Sequence, residues 1–165
     1  MTQKEYNNGV GLWADDVYRY AVHCSGDREQ SKDWVQEAFA TLWESRAKVS
    51  PAKGKSFLLA VVHNQVMSHF RHQAVHRENL GELKGEQSIG PDERFDLHDA
   101  LRLALQTLPQ VQREAVILKD MEGYDCREIA EILSLSENQV HVYLFRARVS
   151  LKKTLISLGY DNYNR

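Results

Sequence analysis

Residues Asp125 to Arg148, DCREIAEILSLSENQVHVYLFRAR, decide the fold class of this chain. Asp125 is followed three positions later by Glu128, and Ser136 by Gln139, so the stretch contains two capping-box patterns. Each pattern marks the start of a helix. A short apolar helix lies between them and a longer helix, with a polar tip and a basic end, follows Ser136. Two capped helices joined by a tight turn predict a helix-turn-helix.

The second helix of this pair carries side chains suited to reading DNA. Amides suit adenine, apolar groups suit thymine methyls, and basic side chains suit phosphates. The candidates for base reading are Asn138, Gln139, His141, Val142 and Tyr143. The candidates for phosphate contact are Arg146, Arg148, Lys152 and Lys153. The face near Asn138, Val142, Phe145 and Val149 is a poor fit to a buried core. The alternative is a solvated helix tip and a basic end that complements the helix dipole.

Composition places the chain among ordinary globular proteins. It has 165 residues, 42% hydrophobic and 27% charged, with a net charge of −2. No apolar run approaches the roughly 20 residues that span a bilayer, and the N-terminus has no signal-type apolar core. Cys24 and Cys126 are the two cysteines, too few and too far apart for a disulfide framework or a metal ribbon. We expect a cytoplasmic protein without direct membrane insertion.

Charge is distributed unevenly along the chain. Residues 51–77 contain no acidic side chain, residues 78–99 are strongly acidic, and the final helix is basic again. Two basic segments separated by an acidic one predict two nucleic-acid contacts with a different function between them.

Apolar periodicity predicts helices throughout, with no strand pattern and no repeat. The predicted helices are Leu12–Cys24, one capped by Asp27 to about Ser45, Ser56 to about Arg77, one capped by Asp96, and Pro109–Met121. Val49–Lys55 is predicted to be a loop, and the glycine-rich acidic stretch after Arg77 is predicted to be a flexible linker. The expected architecture is all-α, with two small helical bundles, 1–77 and 96–165, joined by the linker 78–95.

Several motifs, in this order and spacing, carry a family resemblance. They are Asp33-Trp34-Val35-Gln36-Glu37-Ala38-Phe39 with Leu42-Trp43, Phe57-Leu58 to His63-Asn64, Leu108-Pro109, Arg113, Leu118, Glu128-Ile129-Ala130-Glu131, Val140, Leu144 and Arg146-Ala147-Arg148. Together they resemble the extracytoplasmic-function (ECF) sigma factors, group IV of the sigma-70 family, which consist of a region-2 and a region-4 domain. The resemblance covers nearly the whole chain.

The resemblance implies a dissociable subunit of RNA polymerase and no cofactor. The first domain would dock on core RNA polymerase and open the minus-ten promoter element, and the second would read the minus-thirty-five element of promoter DNA. The linker would enter the polymerase cleft, and an anti-sigma factor would hold the protein inactive. The implied polymerase contacts are Asp33, Gln36 and Glu37. The implied minus-ten contacts are Lys55, His63, Asn64, Ser68, Arg71 and His72.

The chain departs from the family pattern at several of these positions. His63 replaces an arginine and Ser68 an aspartate, while His141 and Tyr143 stand where basic residues are common. Ser134 replaces the glycine usual in the turn of the helix-turn-helix.

Two other functions compete with this interpretation. A stand-alone helix-turn-helix regulator would bind DNA unaided as a dimer. A metal-dependent phosphoesterase would use His69, His72 and His76, which share a helix face. A zinc site needs a further suitable ligand, and no companion cysteine or carboxylate motif accompanies them. We therefore predict neither a metal site nor an enzyme.

Overall fold

The computed structural model describes residues 1–81 and 96–160, and these ranges contain helices and no strand. The helices are α1 (Gln3–Ser25), α2 (Arg28–Ser45), α3 (Gly54–Asn79), α4 (Leu97–Gln106), α5 (Gln110–Val116), α6 (Cys126–Leu133) and α7 (Glu137–Ser157). A 3₁₀ turn, Pro51–Lys53, precedes α3, and a π-helical turn, Ile117–Met121, follows α5. The all-α prediction is confirmed. Most of the predicted linker, residues 82–95, lies outside the described residues.

The first helix begins nine residues earlier than predicted. Thr2 Oγ1 accepts a hydrogen bond from the Glu5 amide at 3.2 Å, and Glu5 Oε2 accepts one from the Thr2 amide at 2.7 Å. This capping box satisfies amides that a helix start leaves unpaired, so α1 starts at Gln3. The predicted start at Leu12 was wrong because it followed apolar periodicity alone.

Helices α1, α2 and α3 pack together as the N-terminal bundle. Trp34, Leu42 and Leu58 are buried in its interior. At its edge, a Cβ added to Gly9 or Gly54 would lie 2.3 Å or 2.5 Å from the Trp13 ring, so this ring requires glycine on both helices. Helix α3 starts two residues before the predicted Ser56 and continues two beyond the predicted Arg77.

Helices α4 to α7 form the C-terminal bundle. Asp96 caps α4 as predicted, since its Oδ1 accepts from the Asp99 amide at 2.8 Å. The helix predicted up to Met121 changes from α to π hydrogen bonding after Val116, and the Glu122 amide donates to the Ile117 carbonyl at 3.0 Å. The two capping boxes of the helix-turn-helix form as the sequence predicts.

The two bundles pack against each other. Helix α3 contacts α6, and α1 contacts α4, α5 and the π-helical turn. Buried apolar side chains of both bundles belong to one continuous cluster. None of the described helices is long and apolar enough to cross a membrane.

Candidate nucleic-acid and polymerase interfaces

The turn between α6 and α7 fixes the orientation of the second helix. Ser134 adopts the left-handed conformation at φ 54° and ψ 47°, and the Leu135 amide donates to the Ala130 carbonyl at 2.9 Å. This conformation favours glycine, so serine keeps the turn at a modest energetic cost. Val140, Leu144 and Ala147 of α7 are buried. The opposite face of α7 therefore points outward.

The predicted base-reading residues lie largely on this outward face. Asn138, Gln139, His141 and Val142 are exposed, whereas Tyr143 is half-buried against the core. The Gln139 side-chain oxygen accepts from the Ser136 amide at 2.9 Å as part of the cap, which leaves its amide group as a donor. The tip of α7 thus presents amide, imidazole and apolar groups together.

Two further candidate site residues lie on this face, which the sequence indicated to be a poor fit to a buried core. Phe145 is 71% exposed and Val149 53% exposed, and Val142 at 45% completes an apolar strip with them. Their spacing of three and four residues was the available signal. Large apolar side chains grouped on an otherwise polar surface indicate an interaction site.

Basic side chains flank the apolar strip. Arg148 donates to both carboxylate oxygens of Asp120, at 2.7 Å and 3.3 Å, and this hydrogen bonding raises the pKa of Arg148. Arg146, Lys152 and Lys153 are exposed. His141 Nδ1 lies 3.8 Å from Cys126 Sγ, at a groove that Phe145 and Arg148 also line. The guanidinium of Arg148, a residue of α7, is therefore held by Asp120 of the π-helical turn.

The six predicted minus-ten residues of the N-terminal bundle do not share one open surface. Asn64, Arg71 and His72 are exposed, and Ser68 is half-buried. His63 and Lys55 instead face the C-terminal bundle. His63 is buried, with Nδ1 2.5 Å from Glu114 Oε2. Lys55 Nζ lies 2.6 Å from Asp16 Oδ2 and 3.8 Å from Glu122 Oε2.

The predicted polymerase contacts lie on the outer face of α2. Asp33, Gln36 and Glu37 are all exposed, while Trp34 and Phe39 of the same helix are buried. The amphipathic pattern of α2 therefore separates an acidic surface from the core.

The histidines of α3 make local contacts. His69 Nε2 lies 2.9 Å from Gln73 Nε2, and its ring packs edge-on against Trp34. Within the described ranges, the ligand atoms close enough to share a metal belong to Asp96, His98 and Asp99. Asp96 is already the cap of α4, and exposed acidic groups of this kind are common without a metal.

A helix-turn-helix with an exposed recognition face, joined to a three-helix bundle, defines a DNA-binding protein of two parts. Residues 10–75 match the family described as Sigma-70 region 2, and residues 98–151 match Sigma-70, region 4. The ECF RNA polymerase sigma factor SigM of Bacillus subtilis is 26% identical over 145 residues, covering 86% of this chain and 89% of SigM. The ECF RNA polymerase sigma factor SigL of Mycobacterium tuberculosis is 30% identical over 152 residues, covering 87% of this chain and 84% of SigL.

The fold is also found in a solved structure. The sigma factor RpoE, solved with the anti-sigma factor NepR from Bartonella quintana, has a TM-score of 0.76 at 23% identity, covering 93% of this chain and 98% of RpoE. The chain belongs to the ECF sigma factors of the sigma-70 family. It is an RNA polymerase sigma factor, and the stand-alone regulator is not favoured.

Proposed function

We propose that the chain directs core RNA polymerase to promoters by two separate contacts with DNA. The N-terminal region, 1–77, would dock on the polymerase and open the minus-ten element, and the C-terminal region, 96–165, would read the minus-thirty-five element. The observation that carries this proposal is the exposed face of α7, where amides, an apolar strip and basic side chains occur together. Because polymerase and promoters are cytoplasmic, the protein would act in the cytoplasm.

The minus-thirty-five element is read by α7 in the major groove. The amides of Asn138 and Gln139 suit adenine, and the apolar strip suits the methyl groups of thymine. Arg146 and Arg148 contact phosphates and position the helix without specifying sequence. Asp120 holds Arg148 from one side, which limits the phosphates that it reaches. His141 and Tyr143 stand where basic residues are common in the family. The bases preferred at these positions would therefore differ from those preferred by such relatives.

The minus-ten element is bound along α3. Asn64, Ser68, Arg71 and His72 supply hydrogen-bond donors and positive charge for a single strand. Lys55 and His63 join them once the C-terminal bundle no longer covers them. The exposed acidic face of α2, formed by Asp33, Gln36 and Glu37, contacts the core polymerase.

An anti-sigma factor is the third partner of this proposal. RpoE, the structural neighbour, was solved in complex with one, and its fold extends over nearly the whole of this chain. The linker, residues 78–95, would enter the polymerase cleft, since a strip carrying Glu82, Glu86 and Asp92 suits a positively charged channel.

The proposal is tested by binding of promoter fork DNA in the presence and absence of core polymerase. We expect tight binding with core and weak binding without it. The variant D33A/E37A should abolish the gain from core, whereas the control E29A/E44A, which removes two exposed carboxylates from the same helix, should retain it. Tight binding without core would instead support the stand-alone regulator. An equal loss of binding with both variants would show that Asp33 and Glu37 are not specific contacts with the polymerase.

A further inference from the structure

One of the two cysteines lies in an open groove beside α7. Cys126 is the first residue of α6 and is half-buried, so solvent reaches part of its side chain. Its Sγ lies 3.8 Å from Nδ1 of His141, a residue of the exposed face of α7. Cys24, in contrast, is fully buried in the N-terminal bundle. The two thiols therefore differ in their access to reagents, and that of Cys126 has an imidazole as its neighbour.

Three elements form the groove around this thiol. The π-helical turn contributes Lys119, α6 contributes Cys126, and α7 contributes His141, Phe145, Arg148 and Lys152. The groove has a volume of about 520 Å³, and small-molecule sites occupy roughly 300–1,000 Å³. It therefore has room for a compound much larger than a single ion.

The side chains around the groove make it cationic. Lys119, Arg148 and Lys152 are basic, and none of the described residues that line the groove is acidic. Asp120 lies just outside and accepts a hydrogen bond from Arg148 at 2.7 Å. That hydrogen bond is the main cause of the raised pKa of Arg148, and the Cys126 sulfur adds to it, so sulfur and guanidinium interact electrostatically. Charges in a cleft concentrate their field, which here favours an anionic ligand.

The surroundings of Cys126 are those of a reactive thiol. A thiolate is the nucleophile in exchange with disulfides, and nearby imidazole, lysine and arginine groups favour its formation. His141 Nδ1 is placed to take the thiol proton. Arg148 and Lys152 are placed to stabilise negative charge on an incoming reagent. The groove thus combines a nucleophile, a base and a binding site for anions.

We propose that Cys126 is a modification site that forms a mixed disulfide with an anionic low-molecular-weight thiol, which the groove selects by its negative charge. His141 takes the proton of the Cys126 thiol, and the sulfur attacks the disulfide form of the small thiol. One sulfur–sulfur bond forms while another breaks, and the departing thiolate receives the proton from the imidazolium. The small disulfide is therefore the oxidant, Cys126 is oxidised, and one small thiol is released.

The mixed disulfide places a negative group beside the face of α7 that is proposed to read the minus-thirty-five element. His141 and Phe145 belong to both the groove and that face, and Arg148 is a proposed phosphate contact. An anionic group at this position repels DNA phosphates and occupies the space in front of these side chains. The resulting loss of promoter binding rests on the proposed function, whereas the modification of Cys126 does not.

The site is tested by incubating the folded chain with glutathione disulfide and mapping the adduct by peptide mass spectrometry without reduction. Cys126 should be modified while Cys24 is not, and both should react in urea. Cystamine, a cationic disulfide, controls for charge. The ratio of the glutathione disulfide rate to the cystamine rate at Cys126 should be at least about threefold higher in the folded chain than in urea. No adduct at Cys126 of the folded chain, or equal ratios in both states, would overturn the proposal.

Two variants test the parts of the groove separately. Lys119→Gln removes a cation without changing α7 and should lower the rate ratio, whereas Lys32→Gln, which removes a lysine from α2, should leave it unchanged. His141→Asn removes the base and should slow exchange with both disulfides. If Lys119→Gln retains the ratio, the groove does not select anions. If His141→Asn reacts as fast as the wild type, His141 is not the proton acceptor.

The effect on DNA is tested with adduct formed on the free chain, separated from reagent and added to core polymerase. Binding to DNA containing the minus-thirty-five element should weaken at least about tenfold in Kd and recover with dithiothreitol. Cys126→Ser should bind as tightly as untreated wild type and be insensitive to the reagent. If the adduct binds equally tightly, the modification does not block promoter reading. If the untreated holoenzyme fails to bind, the proposed function is contradicted instead, and the adduct on the free chain stands independently of it.

Discussion

The Glu114 carboxylate and the Tyr20 hydroxyl, 94 positions apart in sequence, meet at 2.8 Å with both side chains fully buried. A hydrogen bond to a charged acceptor in a dry site contributes about 1.5–3 kcal/mol. Tyr20→Phe should therefore lower the free energy of unfolding by roughly that amount, because Glu114 loses a donor and cannot gain water. Urea unfolding of the full chain measures the difference.

Tyr18→Phe is the control for this substitution, since Tyr18 belongs to the same helix and is half-buried. Its effect should remain within about 0.5 kcal/mol. Equal stability of Tyr20→Phe and wild type would show that Glu114 is not a buried acceptor in solution.

The stability of the protein should fall at alkaline pH because of Cys24. Burial raises the pKa of its thiol well above the usual value, whereas in the unfolded chain a thiol ionises near pH 8.5. Above that pH the folded chain holds more protons than the unfolded chain, so the free energy of unfolding decreases as pH rises, by up to about 1.4 kcal/mol per pH unit.

Urea unfolding under reducing conditions between about pH 7.5 and about pH 9.5 checks this dependence. Cys24→Ala should flatten it, while Val17→Ala, which opens a comparable cavity in the same helix without removing a thiol, should retain it. If the free energy of unfolding of Cys24→Ala depends on pH as steeply as that of the wild type, groups other than Cys24 cause the loss of stability at alkaline pH.

Ser134 offers a stabilising substitution. Its φ of 54° places a side chain in a conformation that favours glycine. Ser134→Gly should raise the free energy of unfolding by about 0.5–1 kcal/mol and leave the turn unchanged. Ser150→Gly, the same replacement inside α7, should lower it by a similar amount. Thermal melting compares the two variants, and destabilisation by Ser134→Gly would contradict the left-handed turn.

The apolar strip should bind thymine methyls. Replacing thymine by deoxyuridine in the minus-thirty-five element removes only the methyl group, so each contacted position should weaken holoenzyme binding by about 0.8 kcal/mol, roughly fourfold in Kd. Phe145→Ala should reduce this sensitivity to deoxyuridine. If the uracil-containing promoter binds as tightly as the thymine-containing one, the strip contacts something other than base methyls.

Local features of the fold were predictable, because their causes lie within a few residues. The capping boxes at Asp125 and Ser136 formed as the sequence indicated. Thr2 and Glu5 carry the same capping-box signal, whereas apolar spacing alone places the start of α1 nine residues too late. The face of Val142, Phe145 and Val149 was also expected to lie outside the core, and all three side chains are exposed.

The packing between the bundles could not be predicted from the sequence. His63 and Glu114 are 51 positions apart, and neither residue carries a local pattern that indicates the other. Family resemblance assigned Lys55 and His63 to DNA, yet both face acidic side chains of the C-terminal bundle in this structure. Their assignment to the minus-ten element stays a prediction that requires the bundles to separate.

Run-off transcription with purified core polymerase tests the central claim most directly. A mixture of promoter fragments from the source genome should give discrete transcripts only when the protein is added, and these should be lost with the variant D33A/E37A. If no fragment is transcribed and core polymerase does not co-purify with the chain, the account of this protein as a promoter-directing subunit is contradicted.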